Sequence, residues 1–167
     1  MSADGPAYYG KYRGVVTDNC LQDGTSDPQG RIRAKVVDVY GEDKSPWALP
    51  AVPYAANGLG LYLTPPVDAF VWIEFEHGDP HYPVWSGCFW AANQLPAARP
   101  EMKVLKTPAG TVTLDDSPNA PGITIVTAKG LKITIDQNGI EINAGKKGVI
   151  QLTDNKVTVN RDGLEVT

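Results

Sequence analysis

Residues 131–142 read LKITIDQNGIEI. Leu131, Ile133 and Ile135 alternate with polar residues, Asp136, Gln137, Asn138 and Gly139 supply turn chemistry, and Ile140 and Ile142 resume the alternation. Period-two alternation on both sides of a tight turn predicts a β-hairpin. Each arm offers only two or three aliphatic side chains, so one such hairpin has little to bury. The fold is decided by what covers it.

The same unit recurs to the end of the chain. The pairs are Val112 and Leu114, Ile123 and Ile125, Ile133 and Ile135, Ile140 and Ile142, Ile150 and Leu152, Val157 and Val159, and Leu164 and Val166. Their first members are spaced 11, 10, 7, 10, 7 and 7 residues apart, which marks an internal repeat of one short strand and one turn. Gly122, Gly130, Gly139, Gly145, Gly148 and Gly163 punctuate the repeat where turns need φ > 0. With Leu131 the segment holds fifteen small aliphatic side chains of this kind. Alone they cannot offset the chain entropy of ordering so many residues. A sandwich core about 10 Å thick normally relies on larger side chains. Narrow pairs instead fit a thin axis shared by three chains, with each strand adding about 4.8 Å along it. The expectation is an obligate homotrimer whose rod buries all fifteen, with interior strand edges paired by neighbouring chains.

The first half differs in composition. All fourteen aromatic residues precede residue 91. The stretch AANQLPAARPEMKVLKTPAG, with Pro96, Pro100 and Pro108, reads as a connector with at most a helical turn. The chain is therefore expected to be all-β: a barrel domain over 1–91, a connector over 92–110 and the trimeric segment over 111–167. Before the connector, RIRAKVVDVY places Ile32, Ala34 and Val36 on one face, then shifts phase to Val37 and Val39, which predicts a bulge. AFVWIEFE sets Val71, Ile73 and Phe75 opposite Phe70 and Trp72. With KYRGVVTDN, the region from Trp47 to Leu63 and PVWSGCFW, five or six strands are expected. A small closed barrel is the natural way to protect their edges.

Net charge −4 and a pI near 5.1 give no general attraction to nucleic acid or anionic membrane. No apolar stretch is long enough to span a bilayer, and the N-terminus carries no signal pattern, so synthesis in the cytoplasm is the default expectation. Cys20 and Cys88 could pair but are too few for a disulfide framework, and they read as buried free thiols.

Chemical motifs are sparse. His77, Asp79 and His81 offer metal-ligand types, but Gly78 and Pro80 forbid the helix that would set both histidines on one face. DQNG and DDSPNAPG lack the spaced carboxylates of a calcium loop, and AGKKG at 144–148 precedes no helix that would cradle phosphate. Glu74 and Glu76 are read as an acidic strand face rather than a hydrolytic pair. Ser86 has no nucleophile-elbow context. No catalytic residue, cofactor or metal site is expected. Tyr40, Trp47, Tyr54 and Tyr62 could stack on a ligand across a barrel face. That is the alternative reading, an oligosaccharide- or nucleic-acid-binding module, although acidic residues outnumber basic ones in this half.

Several motifs in combination are more specific: Asp27, Pro28, Gly30, Arg31 and Ile32; then Pro65 and Pro66; then Phe75, Gly78, Asp79, Pro80, Pro83, Val84 and Gly87, followed by the aliphatic repeats. In this order they resemble the central spike proteins of contractile injection machines, called baseplate assembly protein V in phage tails, and the equivalent part of the valine-glycine-repeat spike of type VI secretion. Val67, Asp68 and Ala69 depart from the Gly-Asp often found before the strand that follows. The resemblance implies an OB-fold barrel followed by an intertwined triple-stranded β-helix, in a trimer seated on a baseplate hub and assembled into a phage tail or injection particle. It implies that sheath contraction drives the spike through the target envelope and that wall hydrolysis belongs to other chains. The tail VTVNRDGLEVT lacks the histidines of iron-tipped spikes, so a separate tip protein of the PAAR class is expected at Leu164, Glu165, Val166 and Thr167.

Overall fold

The computed structural model describes residues 6–21, 24–97, 99–120, 122–145 and 148–160, together with the backbone of 164–166. The chain is all-β and divides after Asn93 into two compact units.

The first unit holds β1 (Tyr12–Asp18), β2 (Arg33–Lys35), β3 (Leu49–Pro50), β4 (Ala55–Ala56), β5 (Leu59–Gly60), β6 (Phe70–Phe75) and β7 (Pro83–Cys88). Five of them form one sheet in the order β2-β1-β6-β7-β3, antiparallel except for the β3 and β7 pair. Two backbone hydrogen bonds join Ile32 to Ala48, 2.8 and 3.2 Å long, so the sheet's outer strands approach each other and the sheet curls toward a barrel. β4 and β5 form a separate exposed hairpin.

The alternation in β6 falls as its sequence predicts, with Val71, Ile73 and Phe75 buried. They pack with Val16, Ile32, Ala34, Val36, Ala48 and Trp85 into a single core. Gly14 lies where β1 crosses this core. A Cβ there would sit 3.2 Å from Ile73 and 3.3 Å from both Ala34 and Val36, tighter than ordinary contact, so the strand's close approach favours glycine. Tyr8, Tyr12 and Tyr40 ring Phe75 with centroids 5.4–6.0 Å away.

Two local expectations are corrected. The strand does not continue through a bulge at Val36 and Val37; it ends at Lys35 and a four-residue helical turn, α1 (Val37–Tyr40), follows. Gly41, at φ 61°, ends the turn, and the Tyr40 hydroxyl donates 2.5 Å to the Pro80 carbonyl, holding the segment down. The bulges lie instead between Val16 and Asp18 of β1 and at Ser86 of β7. Where the family pattern often has Gly-Asp, Asp68 itself takes the left-handed backbone, φ 69°.

The second unit is one eight-stranded antiparallel meander in chain order: β8 (Met102–Thr107), β9 (Gly110–Asp115), β10 (Ile123–Thr127), β11 (Lys132–Asp136), β12 (Gly139–Asn143), β13 (Val149–Thr153), β14 (Lys156–Val159) and β15 (Leu164–Val166). This changes two expectations. Residues 102–107, read as connector, form β8, paired with β9 over its full length. And every strand from β9 to β14 has hydrogen-bonded neighbours on both sides from its own chain, where other chains were expected to supply them. Connections of two to seven residues return each strand beside its predecessor, so the nearest backbone partner is always local.

In the first unit the Asp-Pro-Gln-Gly-Arg loop is built around Asp27, which is 4% exposed. Its carboxylate accepts from the amides of Gln29 (2.9 Å) and Arg31 (3.3 Å) and from the Arg31 guanidinium at 3.1 and 2.9 Å. The Arg31 contact above all holds its pKa down to about 2. Because the folded value lies below the ordinary aspartate value of 3.8, the stabilisation is complete above about pH 4 and is lost as pH falls through about 2. Asp27→Ala strands two amides and is expected to cost about 2 kcal/mol. Denaturant unfolding followed by tryptophan fluorescence checks this, since all four tryptophans lie in this unit. An unchanged midpoint in the variant would refute the assigned role of the loop.

Candidate functional site

The hairpin registers of the second unit align the aliphatic pairs into two continuous columns. One runs Leu105, Val112, Ile125, Ile133, Ile142, Ile150, Val159, Leu164 across all eight strands by Cα partners. The other runs Leu114, Ile123, Ile135, Ile140, Leu152, Val157, Val166, with Lys103 opposite Leu114 at its β8 end. Members of a pair are two residues apart, so both columns lie on the same face. The opposite face carries Thr113, Thr124, Thr134, Glu141, Gln151 and Thr158 in line. Leu131 flanks the columns beyond Ile133, tied by its amide to Thr127 Oγ1 at 3.1 Å.

Within the second unit, no described residue covers this face. Ten of the fifteen aliphatic residues remain 37–46% exposed: Leu114, Ile123, Ile125, Leu131, Ile135, Ile140, Ile142, Ile150, Leu152 and Val157. Every buried hydrophobic residue among those described lies in the first unit. Leu105, 51% exposed, was missed by the sequence reading, because Met102, Val104 and Leu105 do not keep the strict alternation of the other strands. Of the expected tip residues, Leu164, Glu165 and Val166 form β15, paired along one edge with β14, and Thr167 lies outside the described residues.

Glycine makes the tight registers possible. A Cβ on Gly139, at φ 125°, would stand 2.0 Å from the Leu152 carbonyl oxygen, and one on Gly110 would stand 2.4 Å from that of Val126. Asp136 closes the DQNG turn by accepting from the Asn138 amide at 2.7 Å. In DDSPNAPG, Asp115 accepts from the Ser117 hydroxyl (2.6 Å) and amide (3.0 Å) and pairs with Arg99, all of which hold its carboxyl below the usual range. These are turn-closing roles.

The remaining motif residues do not converge on a reaction centre. Asp79 accepts from the His81 amide (2.9 Å) and meets its ring Nδ1 (2.8 Å), while His77 occupies a left-handed position in a short 3₁₀ turn. No group of three or more metal-ligating side chains gathers among the described residues. Glu74 pairs with Lys11 at 2.9 Å, which lowers its carboxyl pKa, and Lys11 also donates to Ser86 Oγ at 2.9 Å. Glu76 lies past the end of β6, so the two glutamates do not share a strand face. Lys146 and Lys147 of AGKKG lie outside the described residues. Cys20 and Cys88 are unpaired as read, but both are exposed where burial was expected. The four aromatics of the alternative reading are also dispersed. Tyr54 and Tyr62 line a cleft with Asp27 and Trp85, and Trp47 lines other clefts and stacks under Arg33 at 5.0 Å. Tyr40 packs on the core, its hydroxyl pushed up to about 12 chiefly by burial.

Comparison with known proteins separates the same two units. Residues 12–90 match the type VI secretion system/phage-baseplate injector OB domain, and residues 102–165 match the phage baseplate V C-terminal trimerisation domain, which begins where β8 does. Together they define a structural spike, an OB domain joined to a trimerisation domain. The chain belongs to the phage-baseplate and type VI secretion spike family. It is 34% identical over 116 residues to the type VI secretion system spike protein VgrG4b of Pseudomonas aeruginosa, an alignment covering 63% of this chain. The chain spans 14% of that relative's length.

The column registers depend on Gly139 in a way they do not depend on Gly130, whose Cβ would meet nothing within 4 Å. Gly139→Ala is expected to destabilise the meander by at least about 2 kcal/mol and Gly130→Ala by about 1 kcal/mol. Thermal unfolding of the two variants side by side measures the difference, and equal losses would contradict the close approach.

Proposed function

We propose that three copies bury the two aliphatic columns against one another around a common axis, making the narrow rod of a central spike. The observation that carries this reading is the continuous uncovered aliphatic face in a unit that matches a trimerisation domain. Covering the exposed two-fifths of ten side chains contributes roughly 0.6–1.2 kcal/mol each, or about 6–12 kcal/mol per chain. That is comparable with the whole stability of a small domain, so assembly and folding of this unit are coupled.

In this reading the OB unit adapts the threefold spike to a hub at the end of a tube. The assembly belongs to a phage tail, a tailocin, an extracellular injection particle or a type VI-like machine, made in the cytoplasm and loaded before firing. Sheath contraction drives the rod through the target envelope, and the β15 end receives a tip protein of the PAAR class. The work is mechanical and needs no catalytic group.

The direct test is the mass of the purified full chain by light scattering. A trimer that survives detergent supports the reading, and a stable folded monomer sinks it. Ile133→Asp together with Ile142→Asp, adjacent in one column, is expected to abolish the trimer, because association would bury two carboxylates. Thr134→Asp, on the opposite face of the same strand, is expected to leave it intact. Loss of the trimer in both would show that the aliphatic face is not the interface.

A further inference from the structure

The meander sorts its turns onto two lateral edges, and the edges differ in charge. Along one edge lie the β8 to β9, β10 to β11 and β12 to β13 turns, and along the other the β9 to β10, β11 to β12 and β13 to β14 turns. The first edge carries Lys106, Lys129 and Lys132, with no Asp or Glu among its described residues. The second carries Glu101, Asp115, Asp116, Asp136 and Asp154 against Arg99, Lys103 and Lys156. β11 shows the polarity within one strand, since it begins at Lys132 and ends at Asp136.

We propose that each corner of the trimer is formed by the basic edge of one copy against the acidic edge of the next, and that this pairing sets which way round the sheets assemble. The inference rests on the trimeric reading above. Three identical walls related by a threefold axis along their columns, all turning the same face inward, must meet edge to opposite edge. Such an axis carries no translation, so groups at the same height meet. Lys132 of one copy then faces the level of Asp136 of its neighbour. A flipped neighbour would bring basic edge to basic edge and acidic to acidic, and repulsion disfavours it. The occupant of each edge is therefore a second copy of this chain, recognised by charge, while the aliphatic columns supply most of the adhesion. Exposed pairs of this kind act more on selection of the partner's orientation and on assembly rate than on final stability.

The test is refolding of the full chain from denaturant, with the trimer fraction read by sedimentation at about 20 mM and about 500 mM salt, conditions that span weak to strong screening. The wild type is expected to form trimers at both. The triple variant Lys106→Glu, Lys129→Glu, Lys132→Glu is expected to lower the rate of trimer recovery at low salt by about tenfold or more, with recovery restored at high salt. Adding Glu101→Lys and Asp154→Lys to the same chain, which leaves the turn-closing Asp136 in place, is expected to restore it at low salt too. The two edges of one sheet are about 16 Å apart across a five-residue strand, so this rescue must act between copies. A triple variant that trimerises like the wild type at low salt, or a loss that neither salt nor the added reversals repair, would overturn the proposal. A wild type that never trimerises would instead remove the reading on which it rests.

Discussion

The second unit is governed by one constraint: a sheet hydrophobic on a single face must have that face covered, and among its described residues the unit has nothing with which to cover it. The columns exist only because successive hairpins stay in register. A slip of one residue in any strand would turn its aliphatic pair to the threonine-lined face. The register is in turn fixed at the turns, by the carbonyl approaches that only glycine permits at positions 110 and 139 and by the aspartates that close their own turns at 115 and 136. Small local rules thus make a long, continuous apolar surface, which is what the proposed association would cover.

The two units solve the same problem differently. The OB unit covers its sheet by curling it, so that Val16, Ile32, Val36, Val71 and Ile73 reach essentially full burial within one chain. It invests its aromatic residues there, with Tyr8, Tyr12 and Tyr40 sealing the core around Phe75. The meander stays open. Its side chains are small and uniform, which suits packing against identical copies about an axis and leaves no room for a self-contained core. A self-contained barrel unit joined to a sheet with an uncovered aliphatic face is what the composition break near residue 91 marks.

Much of this was legible in the sequence, for identifiable reasons. The period-two alternation of Ile133, Ile135, Ile140 and Ile142, and of Val71, Ile73 and Phe75, survives intact because sheet burial is read by side chains. β8 was not legible because Pro96, Pro100 and Pro108 bracket it and its aliphatic content is mixed with Lys103 and Lys106. α1 was hidden by its own valines, whose β-branched preference for strands is overridden by Gly41 and by the tether from Tyr40 to Pro80. Which chain supplies each strand's neighbour leaves no mark on side chains at all. Intertwined and intrachain ladders predict identical alternation, and only the turn lengths distinguish them. The opposed charges of the two edges emerge only once topology assigns alternate turns to alternate sides.

The intrachain ladder also bears on the mechanical reading. In the meander the strands lie across the column direction and the backbone hydrogen bonds run along it, so load applied along a spike axis is carried from strand to strand by continuous ladders within each chain. Each wall alone is a single sheet, which is thin and free to bend toward either face. Packing three aliphatic faces together removes that freedom, because bending one wall would open voids along columns of close-packed Ile, Leu and Val. In that reading hydrogen bonding supplies axial continuity and the shared core supplies resistance to buckling. The narrow aliphatic pairs that are too thin to form a core by themselves are what allow both in a small cross-section.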